Sequence, residues 1–422
     1  MNMKTILAVL LGQAVNKISR IFKIGAGATW PGEVALFVDP SLIGKLISKN
    51  SKVILVAGTN GKTTTSKMIV SLLGKSVIHN DSGANLLNGI ASVLVKNYFK
   101  KPPEYYVFEV DENYLIETLK QVQGDTPRVQ HDTDCHPDEG QDLRHDHITV
   151  VLLNLFRDQL DRYGETDKIA KNWMNLEGWS NLIVNGDDPQ LAFIGQKMEG
   201  NVYFFGLNNK NLFLEKMQHA TDSIYCPNCG DKLKFSGIYF SHLGEYKCGK
   251  CGFAHPKTNM TYKTNRKYKL EGIYNIYNYL AAELTAEVLG IKKTVIDFEP
   301  AFGRGEEING TKILLSKNPA GFNESLRTVI NSQKKGPLLL SLNDRIPDGR
   351  DISWIWDVDF EMLKQVQHDI FVSGDRALDL GLRLKYAEVP FEIKHQINVF
   401  WILATYSAML DIRKELIGRK IL

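Results

Sequence analysis

Long apolar runs are missing from this sequence, and its charges nearly balance. No segment approaches the roughly 18 uninterrupted apolar residues that a membrane-spanning helix needs, so no transmembrane segment is predicted. The formal net charge of +3 is too small to indicate a nucleic-acid-binding protein. Only 5 cysteines occur among 422 residues, which argues against a disulfide scaffold and favours a reducing, cytoplasmic compartment. A hydrophobic content of 43% indicates an ordinary globular chain of two or three domains.

A phosphate-binding loop is the most specific motif present. Residues 58–65 read GTNGKTTT, after a strand-like apolar run at 53–57 and before a helical pattern at 66–73. In such a loop the backbone N–H groups surround phosphate oxygens, Lys62 reaches the β- and γ-phosphates, and the Thr63 hydroxyl binds Mg²⁺. The spacing is shorter than the common G-x-x-x-x-G-K-[ST] form, which indicates a subset of ATP-using proteins. A glycine-rich turn that binds nothing fits the flanking elements less well. The predicted ATP contacts here are Gly58, Thr59, Asn60, Gly61, Lys62, Thr63 and Thr64.

Four cysteines form two pairs, Cys226 with Cys229 and Cys248 with Cys251. Four thiolates at this spacing can surround Zn²⁺ tetrahedrally and leave no open position for catalysis, so we predict a structural zinc ribbon. Redox CxxC motifs rarely occur twice at such a spacing and are the less favoured alternative. The residues between the pairs carry few clustered basic side chains, so a metal staple is preferred over a nucleic-acid contact.

Alternating strand-like and helical patterns predict an α/β protein with a parallel sheet and helices on both faces. We expect a lead-in helix and loop over 1–50, an ATP-binding domain over 51–296 and a smaller α/β domain over 297–422. The zinc ribbon is expected as an insertion at about 207–265, followed by a helix at 273–289. Strands are predicted at 77–78, 105–110, 148–155, 181–185, 312–316, 337–342 and 370–373.

One short segment occurs twice. LKQVQGD at 119–125 recurs almost intact as LKQVQHD at 363–369. We interpret the copies as a mobile element inserted at surface loops, where added length costs little stability. The first copy, about 121–146, holds several histidines and Cys135, yet its polar, repetitive character favours a disordered insertion over a metal cluster. Cys135 lacks the glycine-rich context of a catalytic nucleophile.

GTNGKTTT resembles the ATP loop of the Mur ligases, peptidoglycan enzymes that join carboxylates to amines through acyl phosphates. Four further motifs resemble the same family and follow in order: FEVDE at 108–112, NLFRDQLDRYGE at 154–165, NGDDP at 185–189 and GIYNIYN at 272–278. The ordered set predicts a P-loop ATPase domain of the Mur-ligase type.

The C-terminal part is more discriminating and resembles the MurT family of synthetase subunits. Its motifs are AFGRGE at 301–306, KNPAGFN at 317–323, DGRDISWIWD at 348–357 and LRLKYA at 382–387. The resemblance implies an ATP-dependent carbon–nitrogen ligase for lipid II. ATP would phosphorylate the D-glutamate α-carboxyl of the stem peptide, and ammonia would displace phosphate to leave D-isoglutamine. A GatD-like glutaminase subunit in a heterodimer is the expected source of ammonia, because no glutamine-hydrolysing nucleophile is evident.

The resemblance assigns catalytic roles at the phosphate end. Lys62 and Thr63 would stabilise the transferred phosphoryl group together with Mg²⁺. Glu109, at the carboxyl end of a predicted strand, matches the family's Mg²⁺ carboxylate, and a surface glutamate is the alternative. Gln159 stands where several Mur ligases have a metal-binding histidine, a departure that leaves a second Mg²⁺ site open.

Further roles are implied along the second half of the chain. Asn275 and Asn278, three residues apart on one helical face, match the residues that hold adenine. Arg304 would reach across from the second domain to the phosphates, with a solvated linker arginine as the alternative. Lys317 would also face the nucleotide.

Asp351 is the candidate for completing a Cys-His-Asp arrangement with the glutaminase across the subunit boundary. Its neighbours Trp354 and Trp356 suit either an interface or a core. Asp348 and Asp357 are close enough in sequence to be alternatives.

Residues 6–11 are apolar, and Lys17, Arg20 and Lys23 follow at helical spacing. The pattern predicts an N-terminal amphipathic helix that rests either on a membrane or on the body of the protein. About 50 residues precede the phosphate loop, too few for the domain that binds a uridine-diphosphate sugar in full Mur ligases. A lipid-linked substrate would make that domain unnecessary. We therefore expect work at the inner face of the plasma membrane through weak peripheral contact.

Two other functions stay open. The chain could add an amino acid, as folylpolyglutamate synthetase does, because amine selectivity is not legible. It could also be a zinc-ribbon ATPase that binds nucleic acid, but that function needs a basic, aromatic-interleaved face.

Overall fold

The computed structural model describes residues 2–22, 29–74, 76–81, 83–124, 147–158, 166–264, 268–292, 296–299, 303–365 and 369–418. Most of the first repeat copy and Gln159 lie outside these residues, as do the side chains of Arg20 and Arg304. The predictions made for them therefore stay predictions.

A seven-stranded parallel sheet carries the phosphate loop. Its strands are β1 (Lys52–Ala57), β2 (Val77–His79), β3 (Tyr105–Val110), β4 (Ile148–Leu152), β5 (Asn181–Asn185), β6 (Asn201–Gly206) and β9 (Met260–Thr261). Its helices are α4 (Lys62–Leu73), α5 (Leu87–Asn97), α6 (Leu115–Gln123), α7 (Thr166–Trp173), α8 (Pro189–Lys197) and α9 (Ile273–Val288).

The strand order is β2-β3-β1-β4-β5-β6-β9, and every neighbouring pair is parallel. The central strands are buried along almost their whole length, because helices cover both faces of the sheet. The order reverses at β1, which lies between β3 and β4. In parallel sheets such a reversal opens a crevice at the carboxyl ends of the strands, so the fold places a ligand site beside the phosphate loop.

The predicted α/β class is confirmed, and two element bounds differ for a physical reason. β4 ends at Leu152 instead of residue 155, because the chain turns to bond the phosphate loop: Asn154 Oδ1 accepts the Asn60 N–H at 2.8 Å. α4 begins at Lys62, four residues earlier than the apolar pattern suggested. Helices begin at the phosphate loop itself because its N–H groups are the free donors of the first turn.

The four-cysteine segment forms an antiparallel hairpin of β7 (Leu233–Phe240) and β8 (Leu243–Cys248). The chain then returns to the first sheet through β9, beside β6. The hairpin packs on that sheet, since Tyr239, Phe240 and Leu243 belong to the same buried cluster as α9.

A second sheet has six strands in the order β10-β11-β15-β12-β13-β14. The strands are β10 (Arg304–Ile308), β11 (Thr311–Leu315), β12 (Leu338–Ser341), β13 (Ile370–Ser373), β14 (Glu392–Ile393) and β15 (Trp401–Ala404), and the helices are α10 (Pro319–Asn331), α11 (Ala377–Tyr386) and α12 (Tyr406–Leu416). Among the described strand pairs of this second sheet, only β10–β11 is antiparallel.

Three helices precede the first sheet: α1 (Met3–Phe22), α2 (Trp30–Val38) and α3 (Leu42–Leu46). The predicted N-terminal helix is therefore present. α2 begins at Trp30, because Pro31 suits the first turn of a helix. None of the helices in the described part of the chain has the length and apolar character to cross a bilayer.

Both repeat copies begin in the core rather than in surface loops, contrary to the expectation. Residues 121–123 complete α6, where Val122 is buried. Leu363 of the second copy is buried beneath the second sheet. Apolar side chains at the start of each copy are thus part of the fold.

Candidate active site

The phosphate loop joins β1 to α4 at the carboxyl edge of the sheet. Gly61 lies in the left-handed region, with φ of 90°, directly before the first helical residue Lys62. A Cβ atom at position 61 would stand 2.3 Å from Asn278 Oδ1. Glycine is therefore required here both by backbone conformation and by the close approach of α9.

Lys62 is buried and already engaged. Its ammonium group donates to Glu112 Oε2 at 2.8 Å and to the Gly58 carbonyl at 2.5 Å. Burial lowers the pKa of Lys62, but the Glu112 carboxylate outweighs burial and holds that pKa above its ordinary value. Glu112 is correspondingly kept ionised, since Lys62 lowers its pKa against the effect of burial. The pair fixes a charged lysine at the mouth of the loop.

Thr63 and Glu109 converge beside this lysine. The Thr63 hydroxyl donates to Glu109 Oε2 at 2.8 Å, and His79 Nε2 stands 3.8 Å from Glu109 Oε1. Burial lowers the pKa of His79 to about 4, so the imidazole is neutral near pH 7. A hydroxyl and a carboxylate at the edge of a phosphate loop are the oxygen donors that Mg²⁺ prefers, so these residues fit the predicted metal.

Two contacts join the surroundings of the phosphate loop to the second domain. Lys317 pairs with Asp158, which follows β4, and Asn318 donates to Asn60 Oδ1 at 3.2 Å. Burial raises the pKa of Asp158, and the neighbouring Lys317 acts in the opposite direction. The second domain thus brings its own cation to the phosphate loop.

A cavity of about 790 Å³ extends from the loop between the two domains. Residues from three separate parts of the chain form its walls. The lining residues are Asn60, Gly61, Thr64, Asn154, Phe240, Leu243, Tyr274, Tyr277, Asn278, Gly303, Leu314, Leu315, Lys317, Asn318, Gly321, Glu324 and Ser325. Its mixed polar and apolar walls, next to a phosphate-binding loop, suit a nucleotide.

The two predicted adenine contacts occupy different places. Asn278 lines the cavity, and its Oδ1 accepts the Thr65 hydroxyl at 3.1 Å. Asn275 lies behind it, donates to the Glu271 carbonyl, and is not among the lining residues. Its Oδ1 accepts from Asn278 at 3.2 Å. Asn275 therefore orients Asn278 in this arrangement.

Thr59 and Gly58 shape the loop rather than the cavity wall, since Thr59 Oγ1 accepts the Phe156 N–H at 3.0 Å. Arg304 is the first residue of β10 and follows Gly303, which lines the cavity. The backbone of Arg304 therefore lies close to the cavity that its side chain was predicted to reach.

The four cysteines come together at the far end of the hairpin. Cys226 Sγ and Cys251 Sγ are 3.5 Å apart, as are those of Cys229 and Cys248, and all four sulfurs lie within 4.8 Å of one another. Zn–S bonds of about 2.3 Å place tetrahedral sulfurs about 3.8 Å apart, so the set fits Zn²⁺.

The opposite end of this hairpin reaches the cavity. Phe240 and Leu243 line it, and Tyr239 O accepts from Arg327 of α10 at 2.8 Å. Two aspartates of NGDDP tie the ribbon down: His255 Nε2 lies 2.7 Å from Asp187, and the buried His242 lies 3.4 Å from Asp188. The ribbon is therefore built into the cavity wall.

Asp187 contacts α9 as well as the ribbon. Its Oδ2 accepts the hydroxyl of Tyr277, a cavity residue, at 2.6 Å.

Among the three aspartates of DGRDISWIWD, only Asp351 is exposed, and its Oδ1 accepts the Ser353 N–H at 2.8 Å. Asp348 is buried and bonded by the Ser407 backbone and hydroxyl. Asp357 forms an ion pair with Arg157 at 3.2 Å. The neighbouring Trp356 is 47% exposed, as a residue at an interface would be.

Sequence reasoning missed several residues of this site. Glu112 and Asp158 lie inside the motifs FEVDE and NLFRDQLDRYGE. Their negative charge was the signal that could have marked them as partners of Lys62 and Lys317. Phe240, Leu243 and Glu324 carried no local signal, because the fold alone brings them to the cavity. Burial raises the pKa of Glu324 to about 7.

Comparison with known proteins agrees with the geometry. Residues 315–409 match the family model "MurT ligase C-terminal". The chain is 33% identical to the MurT subunit of lipid II isoglutaminyl synthase (glutamine-hydrolyzing) from Staphylococcus aureus (strain COL), covering 93% of this chain and 90% of that protein. The corresponding subunit of Streptococcus pneumoniae (strain ATCC BAA-255 / R6) is 30% identical over 100% of this chain and 99% of its own.

The chain belongs to the MurT family. Its fold agrees, since a pseudomurein peptide ligase type C from Methanothermus fervidus superposes with a TM-score of 0.64 at 20% identity, covering 90% of this chain and 81% of that one. The chain is therefore a ligase with the Mur-ligase architecture and a four-cysteine cluster in its ATPase domain.

Proposed function

We propose that this chain is the synthetase subunit that converts the D-glutamate α-carboxyl of lipid II to D-isoglutamine, using ATP and ammonia through an acyl phosphate. The observation that carries the proposal is the meeting of Lys62, Thr63 and Glu109 at one end of a cavity lined by both domains. MurT-family membership supports the choice of substrate.

The chemistry requires positive charge, because a negative carboxylate must approach an already negative phosphoryl group. Lys62 and Lys317 bring two cations to the phosphate end, one from each domain, and Glu112 and Asp158 hold them in place. Such pre-positioned charges stabilise the transition state without reorganisation at the moment of reaction. Mg²⁺ bound by Thr63 and Glu109 would neutralise further charge on the transferred group.

The direct test uses the purified chain with ATP, Mg²⁺, lipid II and ammonium chloride. Phosphate release should accompany formation of amidated lipid II, detected by mass spectrometry. A Lys62→Met variant run in parallel gives the background. Phosphate release that is independent of lipid II, with no amide formed, would contradict the proposed reaction.

We assign the ammonia supply to a GatD-like glutaminase partner in a heterodimer, with Asp351 orienting the partner's catalytic histidine. Three features support Asp351: it is exposed, it comes five residues before the exposed Trp356 in the sequence, and Asp348 and Asp357 make stronger contacts within this chain.

Asp351→Asn in the reconstituted complex should reduce glutamine-dependent amidation at least about 100-fold, because a mis-oriented histidine loses its catalytic tautomer. Ammonia-dependent amidation should stay unchanged. Asp357→Asn is the matched control and should affect neither. Equal losses with both nitrogen sources would assign Asp351 to the synthetase site instead.

A lipid-linked substrate brings the enzyme to the cytoplasmic face of the plasma membrane. Peripheral contact, with no role for nucleic acid, is the mode of association that we propose.

A further inference from the structure

The first helix exposes its apolar face. Residues at positions 3, 7, 10, 14, 18 and 21 follow the spacing of a single helical face. All of them are exposed to solvent, including Met3, which is 85% exposed. The outer face of α1 is defined here as Met3, Leu7, Leu10, Ala14, Ile18 and Ile21.

The opposite, small-residue face holds α1 to the protein. Thr5, Ala8, Val9 and Gly12 are buried, and a Cβ atom at position 12 would stand 2.8 Å from the Pro31 carbonyl oxygen of α2. The helix is thus packed so closely on α2 that no larger side chain would fit there.

Hydrogen bonds also fix the orientation. The Thr5 hydroxyl donates to Asp39 Oδ2 at 2.6 Å, and the Gln13 side chain donates to the Val95 carbonyl at 3.0 Å. In a helix that only packs against a core, the leucine and isoleucine side chains are buried. In α1 these side chains are exposed and the smaller residues of the opposite face are buried. The contacts of the buried face therefore hold the outer face of α1 towards solvent.

The charged residues of α1 itself are of one sign. Residues 2–22 contain no acidic residue, while Lys4 and Lys17 are exposed on α1. The nearest buried acid, Asp39, is neutralised by Lys45 at 2.9 Å. Exposed apolar side chains flanked by lysines alone match the surface of a bilayer with anionic headgroups.

The neighbouring helix α2 also exposes aromatic side chains. Trp30 and Phe37 of α2 are 64% and 89% exposed and lie seven residues apart on one face of that helix. The exposed carboxylate nearby on α2, Glu33, accepts from Asn88 at 2.7 Å. Tryptophan and phenylalanine are favoured where a protein meets the boundary between headgroups and acyl chains.

We propose that the outer face of α1 docks the protein onto anionic lipid, with α1 lying in the plane of the bilayer surface. The inference deepens the proposed function, on which it rests, because an enzyme of a lipid-linked substrate must hold its cleft near the membrane. The partner is the phospholipid surface itself.

The test is co-sedimentation of the full chain with phosphatidylglycerol-containing vesicles and with pure phosphatidylcholine vesicles, without nucleotide or lipid II. Binding to the anionic vesicles should be at least about tenfold tighter than to the neutral ones, and it should weaken with salt. Leu7→Gln with Leu10→Gln should lower binding to anionic vesicles at least tenfold. Both side chains face solvent, so thermal stability should not change.

The matched control is Ile346→Gln with Leu378→Gln, which removes two exposed apolar side chains of the second domain, 71% and 76% exposed. It should bind vesicles like the unsubstituted chain. Equal binding by the α1 double variant, or no vesicle binding at all, would overturn the docking proposal. So would a dimer in light scattering that the α1 substitutions dissociate, because the face would then be an interface between copies.

Failure of docking can be told from failure of the proposed reaction. Amidation of a water-soluble, lipid-free muropeptide by ammonia tests the chemistry alone and should be equal in the α1 double variant and the unsubstituted chain. Vesicle binding without amidation would contradict the reaction and leave docking standing. Amidation without vesicle binding would do the reverse.

Discussion

The phosphate-loop end of the cavity is built differently from the end where we predict that adenine binds, called here the base end. At the phosphate end, a single loop followed by a helix supplies Lys62 and Thr63, and one neighbouring strand supplies Glu109. At the base end, α9, the ribbon hairpin and α10 each contribute one wall. A local motif fixes the first region, whereas the second exists only when three distant segments have folded together. Substitutions at the two ends should consequently differ in kind: loss of chemistry at one, loss of nucleotide affinity at the other.

The largest expected effect is at the phosphate end. Lys62→Met should lower ATP-dependent amidation by a factor of about 1,000 or more, because the main cation of the transition state is lost. It should also cost about 3–5 kcal/mol of stability, since the buried Glu112 is left without its partner.

The double variant Lys62→Met with Glu112→Gln separates the two effects. Thermal unfolding should return towards that of the unsubstituted chain, while activity stays lost. If activity recovered together with stability, Lys62 would be a structural residue and the contrast between the two ends would fail.

The next effect concerns the ribbon. Cys248→Ser removes one thiolate of the four-sulfur set and should abolish bound zinc, measured by elemental analysis. ATP affinity should fall more than about tenfold, because Phe240 and Leu243 are held by the same hairpin.

Cys135→Ser is the control for the cysteine substitution and should keep both zinc and ATP affinity. Loss of zinc with unchanged ATP affinity would show that the base end does not depend on the ribbon.

A smaller effect is expected for Phe240→Ala, which opens the cavity wall without touching the metal ligands. The Kd for ATP should rise by about tenfold, equal to about 1.4 kcal/mol, with kcat unchanged at saturating ATP. Calorimetric titration measures it. Phe235→Ala, in the same strand but beside the cysteine cluster, is the control and should leave the Kd for ATP unchanged while the four cysteines still bind zinc. Identical Kd changes for both phenylalanines would point to general loosening of the hairpin.

The smallest effect tests the burial of Glu324. Its folded-state pKa is raised from 4.5 to about 7, so the folded protein retains a proton that the unfolded chain releases. This group therefore destabilises the fold progressively as pH rises from about 4.5 to 7, and fully above that range.

Glu324→Gln should raise Tm by about 2–4 °C at pH 8 and by less at pH 5. The exposed Glu307→Gln is the control and should shift Tm at neither pH. A stabilisation that is equal at both pH values would mean that the carboxyl group does not titrate in this range.

The parts that sequence predicted best are those that a short segment specifies by itself. The phosphate loop, the strands 105–110 and 181–185 and the cysteine pairs need no knowledge of the rest of the chain. β15 was missed, although it is central in the second sheet, because its four apolar residues show no period that separates a strand from a buried helix. Phe240 and Glu324 were missed for a related reason: burial beside a cavity is a property of the tertiary structure.

The repeat copies show the opposite error. Their polar composition indicated a surface insertion, but Val122 and Leu363 fill core positions at the start of each copy. Composition averages over a segment, whereas packing depends on single side chains, so the edge of an insertion cannot be read from composition.

The ribbon hairpin connects the four cysteines to the wall of the cavity. Its cysteine end would hold the predicted Zn²⁺, and its other end is a wall of the cavity, so one β-hairpin connects the two sites. If the predicted metal were absent, the hairpin would hold Phe240 and Leu243 less firmly, and a shortage of zinc would then weaken nucleotide binding.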